Sequence, residues 1–554
     1  MVDGNTLLAV LCVTMVMSLA DRDVCHDVTV VGGGIGGTYA AWKLRHHELN
    51  IGLYEFSDRL GGRFYTYRFP EAPDIPIELG AMRFNNELHP ILSRTIQELG
   101  LKTGIFRNQD YFSDETMLFL RGVHFRNKDF SKNHVPYNLR QNERKGIQEI
   151  YRYLTQKTNF SGDLSSLQKE LPFIVSDDNA SLSDQTISEF FSKYLSDEAI
   201  EMVTNILKFN SHNPTAAHVL HFMPENFNVD VYMTISEGIQ QLPEHLVKQF
   251  IGASRNHSVH TNHQLISITR NSVDGYTLGF MQTVTSDGKT SPTSQFISVC
   301  SQRVILTVPP PALLQINLET LQQRHILSTL KTLNYHVGVK VFLLYDYPWW
   351  RDHLIKSDID SLNSYDSLHK CPKLKNQYSN YYDILHSGYT DNRYDEHIRP
   401  TLISDLPIDM TLDFGISNRT GRAVLLAAYS VHDLWSELQK NGEKLNLGHH
   451  SVSTEVVRHA HMYLAKLYNI NMTVIPTPTA GVISHWDQYP YKEAFSTSKT
   501  GVDKETVWRT IHKPSAVDNI FIASGSYSKR TSDAWSEYCL EAVEGIISTY
   551  FGKN

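Results

Sequence analysis

The stretch Asp27-Val28-Thr29-Val30-Val31-Gly32-Gly33-Gly34-Ile35-Gly36-Gly37 decides how this chain is read. Asp27–Val31 is a short apolar run rich in β-branched residues, the pattern of a parallel strand buried on both faces. Gly32, Gly34 and Gly37 then satisfy G-x-G-x-x-G. Gly32 permits the tight turn out of the strand, Gly34 admits a pyrophosphate close to the backbone, and Gly37 lets the following helix pack on the sheet. Thr38–Leu44 reads as that helix and Ile51–Phe56 as the second strand. An anion at the helix N-terminus meets free N–H groups and the positive end of the macrodipole. Glu55 closes the second strand about 20 residues on, where a carboxylate accepts from both ribose hydroxyls and repels a 2′-phosphate. The predicted fold class is therefore α/β, built on a Rossmann-like unit.

The whole chain has 554 residues, 41% of them hydrophobic and 20% charged, enough for a large core. Its formal charge of -8 argues against nucleic-acid binding, which draws on a basic surplus. Leu7–Met17 is almost wholly apolar and is followed by Ser18-Leu19-Ala20, so residues 1–20 read as a signal peptide cleaved after Ala20. That run is shorter than the roughly 20 residues of a spanning helix, and no stable membrane insertion is expected. Sequons at Asn159, Asn179, Asn256, Asn418 and Asn471 fit a secreted glycoprotein. The mature chain keeps Cys25, Cys300, Cys371 and Cys539, which allow three disulfide pairings. No metal site is expected, for H-E-x-x-H and clustered His/Cys spacings are absent from the sequence. A serine-hydrolase elbow is excluded too, because Ser524-Gly525-Ser526 lacks the leading glycine.

Further along, residues 140–236 read as helical, with Ile147, Ile150, Tyr151 and Leu154 on one face and Ser181, Asp184 and Ser188 as candidate caps. Val259–Phe280 alternates like a hairpin turning at Asp274-Gly275. Arg303–Val308 reads as a buried strand stopped by Pro309-Pro310-Pro311, and Val337–Tyr345 and Ala423–Ser430 as further strands. Residues 352–400 are polar and irregular. Ile520–Ala523 is a last strand and Trp535–Tyr550 a last helix.

Asp58-Arg59-Leu60-Gly61-Gly62-Arg63 resembles the second motif of flavoproteins of the two-dinucleotide-binding type, in which Arg63 offers a cation to the pyrophosphate. Glu78-Leu79-Gly80-Ala81-Met82-Arg83-Phe84 is similar to the corresponding string of L-amino-acid oxidases in the flavin amine oxidase family. The likeness continues through Glu237–Pro243, Leu265, Val304–Pro310, Asp405-Leu406-Pro407, Trp486–Tyr491, Ala523–Ser526 and Trp535. It is nearest in character to the secreted antibacterial amino-acid oxidases of molluscs.

The resemblance implies FAD as cofactor, with Gly32, Gly34, Gly37, Glu55, Arg63, Gly80, Ala81, Met82, Arg83, Leu265 and Ser526 around it. It divides the mature chain into an FAD-binding domain (21–72, 237–312 and 500–554), a mixed-sheet substrate domain (73–130 and 313–499) and a helical subdomain (131–236). It implies that Arg83 clamps a substrate carboxylate, that Lys340 holds a water where oxygen is reduced, and that Trp535 walls an aromatic pocket. The partners it implies are a small amino acid or amine and oxygen, with a homodimer among the allowed assemblies. The expected reaction turns an L-amino acid into a 2-oxo acid, ammonia and hydrogen peroxide. Four positions depart from the family pattern: Ser526 for a Glu, Ala534 and Glu493 for Gly, and Leu412-Asp413 where a pocket Tyr is usual. They leave two alternatives open, an amine or polyamine oxidase using acids such as Glu493 or Asp413, and a glycoprotein that has kept the fold without catalysis.

Overall fold

In the computed structural model, residues 25–552 are described, apart from 107–115, 132–134, 161–172, 209–212, 219–231, 273–274, 287–288, 352–400, 446–449, 489–490 and 530–535. The signal segment, the polar stretch 352–400, Cys371, Ala534 and Trp535 lie outside them.

Val28–Val31 pairs in parallel with Ile51–Tyr54 on one side and Val304–Leu306 on the other. Ile520–Ile522 and His257–His260 complete a five-stranded parallel sheet in the order Ile520, Val304, Val28, Ile51, His257. Its central strands are buried throughout, as an all-parallel sheet covered on both faces requires. The helices Ile35–Leu44, Gln241–Ala253 and Ser536–Tyr550 close one core around Tyr39, Leu53, Phe250 and Val543. Strands drawn from three distant stretches of sequence thus meet in one sheet. The hairpin read over Val259–Phe280 forms from His263–Arg270 and Tyr276–Ser286 instead. Val259 belongs to the parallel sheet, and Asp274 lies outside the described residues. Lys289–Ser301 extends the hairpin into a three-stranded antiparallel sheet. Cys25 and Cys300 are joined, tying the entrance of the first strand to the end of that sheet. Cys539 carries a free thiol.

A second, seven-stranded mixed sheet runs in the order Ala480–His485, Val339–Tyr345, Ala423–Ser430, Met410–Ile416, Leu402–Ser404, Met117–Leu120, Val123–Arg126. Val339–Tyr345 is buried at all seven positions because it lies between two antiparallel neighbours. One face of this sheet packs on the helices Ile147–Thr155, Ile187–Ser192 and Asp197–Leu207. The capping differs from the sequence reading. Thr186 forms a capping box with Glu189, and Ser196 caps Asp197–Leu207. Ser188 lies inside the first of these helices and bonds Asn213. Pro310 does more than stop a strand: it opens the short helix Pro310–Leu313, where its fixed φ and missing N–H suit the first turn. Asn159, Asn179, Asn256, Asn418 and Asn471 are all exposed.

Candidate active site

The glycine turn is built by contact. Gly32 has φ +105, and a Cβ there would stand 2.7 Å from Thr307 Oγ1. A Cβ on Gly37 would lie 1.8 Å from the Gly32 carbonyl, so only glycine lets the helix rest on its own entry turn. Gly34 is the N-cap and offers no side-chain cap, which leaves the first N–H groups of Ile35–Leu44 open to an anion. The second motif stacks on the first: the Gly61 amide donates to the Gly33 carbonyl at 2.8 Å. Glu55 falls one residue beyond its strand. It accepts from the Gly33 amide at 2.6 Å and from the Ser57 amide and hydroxyl at 2.9 and 2.6 Å.

These loops form one wall of a cavity of about 530 Å³. Glu55, His263, Gln264 and Leu265 line it from the parallel sheet and the hairpin, and Gly34, Arg63 and Ser524–Ser526 from the glycine-rich turns. The seven-stranded sheet and the helix Asp197–Leu207 supply Lys340, Met410, Tyr429, Ile206, Leu207 and Lys208. Glycine positions that a Cβ would fill, an open helix N-terminus and an acid at the second strand together fit FAD.

Two departures from the family pattern prove to be one local arrangement. Ser526 Oγ donates to Glu493 Oε1 at 3.4 Å, and Glu493 lies 3.7 Å from Arg63, which also donates to the Ala494 carbonyl at 2.7 Å. Glu493 thus places a carboxylate beside Ser526, with Arg63 as its counter-charge. Glu493 is fully buried, behind Arg63 and Ser526 in the cavity wall.

Gly80, Ala81, Met82 and Arg83 all line the cavity beside Lys340. A Cβ on Gly80 would meet the Arg63 carbonyl at 1.9 Å, which forces glycine where the segment crosses. Lys340 Nζ donates to the Glu78 and Gly80 carbonyls at 3.0 and 2.5 Å and to Met82 Sδ at 3.5 Å. Arg83 stacks its guanidinium 4.2 Å from the centre of the Tyr232 ring. The expected pocket aromatic is not at Leu412-Asp413. Tyr429, paired with Lys340 in the neighbouring strand, lines the cavity with its ring 5.0 Å from Lys340 Nζ. Trp486 lines it too and donates to the Leu79 carbonyl at 2.9 Å. Sequence reasoning missed Tyr429 because only strand register brings it opposite Lys340.

The acids suggested for a cationic substrate are engaged elsewhere. Asp413 is buried and accepts from Arg351 at 2.6 Å and from the Gly415 amide at 2.9 Å, and it does not line the cavity. Asp409 does line it, but is held 3.0 Å from Lys208 and 3.2 Å from His432. Among the described residues no group of His, Cys, Asp or Glu could hold a metal ion.

A cavity of this build fits an FAD-dependent oxidoreductase. The model of the flavin containing amine oxidoreductases matches residues 35–542, and the chain belongs to that family. It is 28% identical to aplysianin-A of Aplysia kurodai over 96% of this chain and 92% of that protein. Achacin of Lissachatina fulica is 26% identical over 95% and 93%, and an L-amino-acid oxidase of Demansia vestigiata 24% identical over 74% and 70%. In fold it is similar to a putrescine oxidase variant (TM-score 0.63, 16% identity, 94% of this chain and 98% of that one). It is also similar to the cyclohexylamine oxidase of Brevibacterium oxydans (TM-score 0.61, 15% identity, 94% and 99%).

Proposed function

We propose that this flavin amine oxidase is an L-amino-acid oxidase that works outside the cell. The observation that carries the reading is the charge around the cavity: Arg83 and Lys340 line it, while Glu493 and Asp413 are not in its lining and Asp409 is paired. A diamine needs an available carboxylate in such a pocket, whereas an amino acid needs a cation.

In this reading Arg83 holds the substrate carboxylate, for which a planar fork of donors is suited. Tyr429 and Trp486 keep the reacting carbon between aromatic walls, and Ile206, Leu207 and Met410 receive an apolar side chain. Lys340 keeps a positive charge, and the water it holds, where oxygen is reduced. Bound FAD supplies the two-electron oxidation of the carbon–nitrogen bond and returns the electrons to oxygen. The sum is L-amino acid, oxygen and water to 2-oxo acid, ammonia and hydrogen peroxide. Five exposed sequons and the Cys25–Cys300 bond support an extracellular setting, where peroxide release suits an antimicrobial role.

The test is anaerobic addition of L-amino acids, and separately of polyamines, to the purified flavoprotein. Bleaching by amino acids, with return of colour and peroxide in air, supports the proposal. Bleaching by polyamines alone, or by neither, removes it. Catalase should abolish any killing of bacteria.

A further inference from the structure

A carboxylate with no exposed surface is costly unless its charge is answered. Glu493 is such a group, two residues before the strand Phe495–Ser498. Two distant parts of the chain meet it. Ser526, in the turn after the last parallel strand, Ile520–Ile522, donates its hydroxyl to Oε1 at 3.4 Å. Arg63 Nη1 lies 3.7 Å from the same oxygen and donates to the Ala494 carbonyl at 2.7 Å. One nitrogen of this guanidinium is therefore tied back, while Nε and Nη2 make no hydrogen bond among the described residues. The Arg63 side chain stays 39% exposed and lines the cavity. Gly62, just before it, is pressed on the glycine turn, where a Cβ would stand 3.1 Å from Gly34 Cα. Gly34 is the N-cap whose open amides suit an anion.

We propose that Glu493 is a positioning residue for the cofactor, fixing Arg63 through Nη1 and leaving Nε and Nη2 for the FAD pyrophosphate. The inference rests on the reading of Arg63 as the cation of that pyrophosphate. A guanidinium is a rigid plane, so fixing one nitrogen sets the direction of the others. A forked pair with phosphate then forms without the cost of ordering a loose side chain on binding. Without Arg63 the acid would oppose FAD, because its charge has the sign of the pyrophosphate. The benefit of Glu493 therefore exists only through Arg63. Ser526, bonded to Oε1, steadies the acid in turn.

Dilution of the holoenzyme releases FAD, and the gain in flavin fluorescence gives its Kd without any turnover. Arg63→Met should raise that Kd about tenfold or more. Glu493→Gln keeps the size of the side chain and should raise it about tenfold when Arg63 is present. In the Arg63→Met background the same substitution should leave Kd unchanged or lower it. Ser526→Ala should follow the same pattern with a smaller rise, and serves if Glu493→Gln does not fold. A Kd that is unchanged or lower in Glu493→Gln means that repulsion outweighs positioning and overturns the proposal. An equal rise in both backgrounds makes Glu493 a residue of the fold alone and overturns it too. No weakening in Arg63→Met removes the reading of Arg63 itself, and the proposal with it.

Discussion

Arg83 carries the substrate assignment at the scale of single residues. If it clamps a carboxylate with two parallel bonds, Arg83→Lys keeps the charge and loses the fork, and kcat/KM should fall about tenfold to a hundredfold, equivalent to one charged hydrogen bond of roughly 1.5–3 kcal/mol. Arg83→Met should fall further, and both should act chiefly on KM. Steady-state kinetics with the best L-amino acid decide it; a variant with unchanged KM means that Arg83 serves the fold. Lys340→Met makes a separable prediction. Flavin reduction under anaerobic conditions should proceed at a rate close to wild type, while reoxidation by oxygen slows by at least tenfold in stopped flow, because a charge near developing anionic oxygen is missing. Equal slowing of both half-reactions would place Lys340 with the substrate instead.

Both residues line the cavity, and the sequence offered them through the family resemblance, Arg83 in a shared string and Lys340 in an apolar strand. Gly80 is pressed on the Arg63 carbonyl, and Val339–Tyr345 is uniformly apolar apart from Lys340. Tyr429 and the Glu493–Ser526 contact were not legible, since each acquires its partner only when a strand or loop far along the chain is brought beside it.

The same division holds for whole elements. Val28–Val31, Ile35–Leu44 and Ile51–Tyr54 were readable because turn chemistry, periodicity and burial agree within some thirty residues. The caps of the helical part were misplaced by several residues because many serines and aspartates compete locally, and tertiary packing chooses among them. One cap is wholly tertiary. The helix Pro90–Glu98 has His89 at its N-cap with no side-chain bond, and its Ile91 and Leu92 amides donate to the carboxylate of Glu537, at 2.8 and 2.9 Å. Glu537 is fully buried in the first turn of Ser536–Tyr550, so one acid locks two helices together. Glu537→Gln keeps the shape but offers one acceptor oxygen and a surplus donor. It should cost about 2 kcal/mol, the penalty of a lost charged bond with a buried group left unmatched. A thermal midpoint equal to wild type in the apoprotein would show that Glu537 does not hold these helices.

Across the whole molecule, buried histidines set the response to acid. Burial holds His461 and His485 down to about 4 and His512 down to about 3, from an ordinary 6.5. Tyr345 bonds His461 at 3.0 Å, Ser436 bonds His485 at 3.2 Å, and the Trp508 ring packs edge-on against His512. A depressed folded value means that the neutral imidazole contributes its full stability above pH 6.5. That stability is lost as pH falls, because the unfolded chain takes up protons the folded chain refuses. Each histidine then costs about 1.4 kcal/mol per pH unit below 6.5 until its folded value is reached. Glu78 works the other way, gaining stability as pH falls from about 7 towards 4.5. Lys340 adds no slope below about 7, where both states hold its proton. Glu78 offsets one of these three, and His47, His124 and His260, which burial also holds down, act in the same direction as the three, so the thermal midpoint should fall between pH 6 and 4.5. His512→Asn, which cannot titrate there, should flatten that decline by about one proton. A midpoint constant over this range, or a His512→Asn slope equal to wild type, would mean that these imidazoles already take up protons inside the folded protein.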